Sequence, residues 1–346
     1  MTMNFNLIIF MLFLVYIGCG CTRYKQENVT DLSVLTDSLS LEKRINLSDY
    51  GVVGEEDIVF DHGKLYIYQS FDTQNSLAII DGDKVIRGIS IGDGPDEILD
   101  IKNIQLNEKH KPYFYDTYKG SINFFNGNDS SIFITSRIIV PRMLDDVVSY
   151  KENFIIFPND RNYSIGLIDK KGELIDSLVY WPPKPDGISS ATHALACSGV
   201  TSILGDGTFA RAILYDGGVD FYKIEDNKIK HLGRYSLFDM QYDALDGGGV
   251  NMPAPNEETK DGFMKIKSGQ EHFYASFNDS KAMANIDGVS NEIFRFDSMG
   301  HLQNRFIIDH YFTDFYVNEI DNEIGVVSTD ESGNEYLYIY HLPGVI

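Results

Sequence analysis

The sequence predicts an all-β chain, a six-bladed β-propeller closed by an N-terminal strand that joins the last blade, and three observations carry that expectation. A unit made of a turn, a short aromatic or β-branched run, a polar turn and a second apolar run ending in an acidic or amide residue is written six times. The composition suits strands: 346 residues are 43% hydrophobic and 13% aromatic, with 21 Tyr and 22 Phe. The chain also begins with the piece its end lacks, because residues 39–47 form an orphan strand and the sixth unit stops after its third. Joining the two removes an exposed sheet edge and closes a ring.

Taken in order, residues 7–17 (LIIFMLFLVYI) have the length of a signal-peptide apolar core and are too short to span a bilayer comfortably. They run straight into Gly18, Cys19, Gly20 and Cys21, so residues 1–18 read as a signal peptide and residues 19–38, polar and without a sustained period, as a tether. An uncleaved anchor helix is the alternative. The propeller is expected over residues 39–346.

The first unit pairs Gly63 to Tyr68 with Ser76 to Asp81, and the second pairs Lys111 to Asp116 with Ser121 to Asn126. The third joins Asn153 to Phe157 with Ser164 to Asp169, and the fourth Phe209 to Leu214 with Val219 to Glu225. The fifth and sixth pair His272 to Ser276 with Glu292 to Asp297, and Ile324 to Ser328 with Glu335 to Tyr340. The second runs end at Asp81, Asn126, Asp169, Glu225 and Asp297, a period near 45 residues stretched by insertions. After most of them comes a tight turn and a more polar outer strand. Between the first two units lies Gly92-Asp93-Gly94-Pro95-Asp96-Glu97, where glycines flank an Asp, Pro95 fixes the exit and the acids keep the turn on a surface. Trp181, the sole tryptophan, opens a proline-rich segment expected to link the third and fourth blades rigidly. Residues 239–262 carry no strand pattern and hold three consecutive glycines, so they read as an open loop, either a lid or a mobile excursion.

Charge and cysteine usage narrow the function classes. With 51 acidic against 29 basic residues the formal charge is −22, which repels a phosphate backbone, and no nucleic-acid partner is expected. Three cysteines make no disulfide framework, and Cys197 reads as a buried small hydrophobe.

The Gly-Cys start resembles a bacterial lipoprotein signal, in which the cysteine after the small residue is lipidated; Cys19 is the preferred acceptor and Cys21 the alternative. This start, the six-fold repeat and the turn Gly92 to Glu97 together resemble the TolB-like six-bladed propeller lipoproteins of Bacteroidota, over roughly residues 39–343. The resemblance implies an exported outer-membrane lipoprotein, held to the membrane by its lipid alone, and no particular activity. Asp37-Ser38-Leu39 and Asp176-Ser177-Leu178 look like the Asp-Ser/Thr-hydrophobic O-glycosylation site of that phylum.

Motifs that carry a mechanism are missing: the sequence has no Gly-x-Ser-x-Gly elbow, His-Glu-x-x-His pair, phosphate-binding Gly-x4-Gly-Lys-Ser/Thr or EF-hand loop. Propeller sites are assembled at the mouth of the central channel, so polar residues in inner strands and their entry turns are the ligand-binding candidates. These are Asp57, Asp93, Glu97, Arg142, Trp181 and His193. Two functional readings follow. The preferred one is a binding or scaffold module for a protein, peptide or glycan at the cell envelope, without a cofactor. The alternative is a metal-dependent propeller enzyme, lactonase-like or lyase-like, whose carboxylates, amides or histidines meet on a calcium or zinc ion at the axis. A purely structural envelope role is the third.

Overall fold

The computed structural model describes residues 36–141, 143–158, 162–246, 251–282 and 289–343. The chain enters through β1 (Thr36–Ser38) and β2 (Ser40–Asn46), then a 3-10 turn at Leu47–Tyr50 capped by the Asn46 side chain and by Gly51 in the left-handed region. Blade 1 follows as β3 (Glu55–Asp61), β4 (Lys64–Gln69), β5 (Leu77–Asp81) and β6 (Lys84–Gly88). Blade 2 is β7 (Ile101–Leu106), β8 (Pro112–Asp116), β9 (Ser121–Gly127) and β10 (Ile132–Ile139). Blade 3 is β11 (Leu144–Tyr150), β12 (Asn153–Pro158), β13 (Ile165–Ile168) and β14 (Leu174–Leu178). A short helix, α1 (Ser190–Ala196), precedes blade 4: β15 (Gly199–Ile203), β16 (Thr208–Ile213), β17 (Gly218–Glu225) and β18 (Lys228–Ser236). Strands β19 (Asp243–Asp246) and β20 (Asn251–Ala254) then form a separate hairpin.

Blade 5 is β21 (Lys260–Ser268), β22 (Phe273–Lys281), β23 (Ser290–Phe296) and β24 (Leu302–Phe312). Blade 6 contributes β25 (Asp314–Asn318), β26 (Glu323–Thr329) and β27 (Glu335–His341), and its outer strand is β2, antiparallel to β27 from Ser40 opposite His341 to Asn46 opposite Tyr336. The expected closure is therefore present. Arg44 of β2 lies 3.6 Å over the Tyr336 ring, fixing the joint with a cation–π contact. The inner strands β3, β7, β11, β15, β21 and β25 each touch the next, and β25 touches β3, so the ring is complete.

Two features depart from the sequence reading. Residues 36–38, placed at the end of the tether, run parallel to the outer strand of blade 5 as a fifth strand. Residues 239–262, read as an open loop, contain the β19–β20 hairpin, whose Met252 and Pro253 lie opposite Leu245 and Ala244. Polar and glycine residues diluted the alternation there; β20 pairs with β19 and packs against α1.

The cores lie between blades rather than within them. Phe114, Phe125, Tyr66 and Ile104 fill the wedge between blades 1 and 2; Phe221, Phe263, Phe273 and Phe294 fill that between blades 4 and 5; Phe306, Phe315, Tyr274 and Val326 fill that between 5 and 6. Blades splay outward from an axis, and large rings fill the widening gap. This accounts for the Phe and Tyr content. No helix among the described residues is long and apolar enough to cross a membrane.

Candidate functional site

All six inner strands run the same way, so one face collects the crossovers from each outer strand to the next inner strand, together with the loops between second and third strands. We call it the entry face; the opposite, exit face carries the tight turns. A cavity of about 130 Å³ follows the axis, lined by Asp57, Asn103, Gln105, Thr201, Ser202, Lys265, Lys267 and Ser268 among others.

Its charged groups are engaged with one another. Lys267 of blade 5 donates to Asp57 Oδ1 of blade 1 at 2.6 Å, to the Ile58 carbonyl at 2.9 Å and to Asp314 Oδ2 of blade 6 at 3.3 Å. Lys265 donates to the Glu56 carbonyl at 3.1 Å and lies 3.8 Å from Asp314. The carboxylates also clasp neighbouring blades through backbone N–H groups. Asp314 accepts from Ile58 N at 2.9 Å, Asp57 from Ile104 N at 2.5 Å, and Asp145 from Gly199 N at 2.8 Å. Each clasp joins one inner strand to the next, and bulges at Glu55/Asp57 and Leu144/Asp146 shape two of the strand ends that present them.

Burial pushes the Asp57 carboxyl up to about 6, against the pull of Lys267. Burial also acts on Asp314, but Lys265 and Lys267 outweigh it and hold that carboxyl below its ordinary range. Burial opposes the charge on Lys267, and Asp314 and Asp57 more than restore it, leaving the ammonium above its ordinary value. Beside this network, Asp146 Oδ2 and Glu55 Oε1 are buried without a hydrogen-bond partner among the described residues. Burial raises both carboxyls.

Of the sequence candidates, Asp57 alone reaches the axis. Glu97 folds back over its own turn, accepting from Gly94 N at 2.7 Å. A Cβ at Gly92 would stand 2.2 Å from Glu97 Oε2, so any larger residue there displaces the carboxylate from its place over the turn. Lys119 donates to the Gly94 and Glu97 carbonyls, both at 2.8 Å, and pins the turn to blade 2. Asp93 stays exposed on its tip. Arg142 lies outside the described residues.

Trp181 and His193 meet on the entry face between blades 3 and 4. Ser189 caps α1 by accepting from Thr192 N at 3.1 Å, and the helix turns His193 inward. Nε2–H of His193 donates to the Pro182 carbonyl at 3.0 Å, which makes Nδ1 the acceptor of the Tyr242 hydroxyl at 2.9 Å. Burial lowers its pKa, so the ring is neutral and both nitrogens are used. Trp181 packs on Cys197, Ile213, Met240 and Tyr242 and borders a cavity of about 20 Å³, room for about one water. Buried Cys197 has its thiol pushed up by burial, in line with an apolar role.

Sequence reasoning missed Lys265, Lys267, Asp145, Asp146 and Asp314. It also missed Asp61, His62 and His110 on the exit face, the group among the described residues able to offer three metal-ligand atoms together. An Asp directly before an apolar pair, as in Asp57-Ile58-Val59 and Asp314-Phe315-Tyr316, was the available signal for two of the clasps; the third, Asp145, stands one residue further back, before Asp146.

No curated protein sequence matches the chain. Among solved structures it is similar to a candidate exported protein of Bacteroides fragilis, with 12% identity, a TM-score of 0.57, and 92% of this chain and 98% of that one covered. Weaker likenesses include Raptor of Chaetomium thermophilum, with 10% identity, a TM-score of 0.47, and 89% and 29% covered. Virginiamycin B lyase of Staphylococcus aureus follows, with 10% identity, a TM-score of 0.45, and 88% and 100% covered. The six four-stranded blades agree with the match of residues 83–320 to the TolB-like 6-blade propeller-like family model, and the chain belongs to that family.

Proposed function

We propose that the chain is an exported, lipid-anchored binding module whose entry face engages a protein partner. One observation carries the reading: the loops of blades 1 to 3 on that face leave Val53, Phe71, Leu99, Tyr118 and Met143 exposed in one arc, Phe71 at 76%. These loops are held rigidly. Leu99 N donates to Asp116 at 2.9 Å, Met143 N to the Thr117 carbonyl at 3.3 Å, and the Phe71 ring lies against Gly54. Exposed Glu56, Asp93 and Asp96 rim the arc, so the matching surface is apolar at its centre and basic at its edge. The axial donor set speaks against the alternative of catalysis on an axial calcium, since the Lys267 ammonium already lies between the two carboxylates that would bridge such an ion.

Crosslinking on intact envelopes followed by capture tests the reading. Phe71→Ser with Tyr118→Ser removes the crosslinked partner, while Leu174→Ser on an outer strand does not; unchanged capture by the double variant refutes the arc. The anchor is proposed at Cys19, in the outer membrane, with residues 22–35 as tether. Labelled fatty acid enters the parent and not Cys19→Ala, and persistent labelling of that variant moves the acceptor to Cys21.

A further inference from the structure

We propose that the exit face carries a binding site for a borderline transition-metal ion, Zn²⁺ foremost, formed by Asp61, His62 and His110 across blades 1 and 2. The ligand atoms of the three side chains lie within 4.8 Å of one another. His110 Nδ1 is 2.8 Å from Asp61 Oδ1, His62 Nε2 is 3.7 Å from the same oxygen, and the two imidazole rings are 4.7 Å apart at their centroids. Both rings are solvent-exposed, so an ion has direct access. Two imidazoles and one carboxylate form a ligand set suited to Zn²⁺, Cu²⁺ or Ni²⁺ and poorly suited to Ca²⁺ or Mg²⁺, which take oxygen. A fourth position stays open to water or to an incoming side chain.

The turns holding the histidines give a second, independent reason. Four turns of the ring, three on the exit face and that of Asp330 on the entry face, share one design: an Asp or Asn side chain accepts the backbone N–H groups two and four residues on, its carbonyl accepts the third, and the third residue takes positive φ. Asp169, Asp297 and Asp330 head three of them, and there the positive-φ residue is Gly172, Gly300 or Gly333. Asn107 heads the fourth, bonding Lys109 N at 3.0 Å and Lys111 N at 2.9 Å, and the residue at φ 55° is His110. His62, at φ 47°, likewise sits at the first position of a two-residue hairpin where Asn or Gly is the easy choice. Backbone conformations that disfavour side chains thus hold two histidines, on adjacent blades, aimed at one carboxylate.

The test is a ZnCl₂ titration of the untagged full chain by calorimetry and by thermal melting, beside His62→Asn, His110→Asn and His110→Gly. Asn and Gly both tolerate positive φ, so these variants keep the turns, and comparison with the parent cancels ions held elsewhere. The parent binds one Zn²⁺ more than the variants, or binds it about tenfold or more tightly, and only its melting temperature rises with the ion. Equal binding and melting in parent and variants, or equal binding of CaCl₂ or MgCl₂ by the parent, overturns the site.

Discussion

Lys267 shows what a single side chain does in this ring. It is one ammonium shared by Asp57 and Asp314 in a buried setting, and its removal leaves two carboxylates facing each other. Lys267→Met therefore lowers unfolding stability by about 3 kcal/mol or more, read from urea midpoints at pH 7. The pH dependence has a definite sign. Asp57 and Asp216 have native pKa values of about 6, raised by burial from 3.8. Between those values the native chain holds protons that the unfolded chain has released, so these two groups make stability fall as pH rises. Asp57→Asn flattens that decline between pH 4 and 6, and an unchanged slope would place the protons elsewhere. Asp57 was legible because an acid in an apolar run needs a partner. Lys267 was not, since Lys265 and Lys267 alternate with Met264 and Ile266 as any half-exposed strand would.

At the scale of elements, the repeated Asp-headed turn ranks its glycines. Gly333 at φ 81° has open space around it, so Gly333→Ala costs only the left-handed backbone, about 1 kcal/mol. Gly300 at φ 87° has the Phe221 ring 2.5 Å from where a Cβ would stand, so Gly300→Ala also disturbs the core between blades 4 and 5 and costs about 2 kcal/mol or more. Melting curves of the two variants check the order. The two middle strands of each blade were legible because both of their faces are covered and they read as apolar runs. Inner strands such as Asn103 to Leu106 face the channel with one side, and their mixed sequence concealed them. The apolar arc was hidden for a different reason: Phe71, Leu99 and Tyr118 are isolated hydrophobics in sequence, and only the ring brings their loops together.

For the whole molecule, closure is the decisive interaction. Strand β2 covers β27, whose Leu337 and Tyr340 belong to the cores on either side of blade 6. A chain beginning at Leu47 lacks that strand and leaves an aromatic edge unpaired, so it aggregates or melts well below a chain beginning at Thr36. Light scattering and calorimetry distinguish this from a dispensable strand, for which the two would melt together. This much could be read from the two ends of the sequence. The pairing of residues 36–38 with β24 could not, because a three-residue strand has no period.

That short strand alters how the ring bears load. Residues 36–46 run as one strap from the rim of blade 5 to the rim of blade 6, and among the described residues a pull from the N-terminal side is felt first at Thr36. Three residue pairs to β24 must part before tension arrives at the pairing of β2 with β27 that shuts the ring. The strap works as a sacrificial fuse: a tug strips the blade 5 contact and spares the closure, and the strand can dock again when the force is gone.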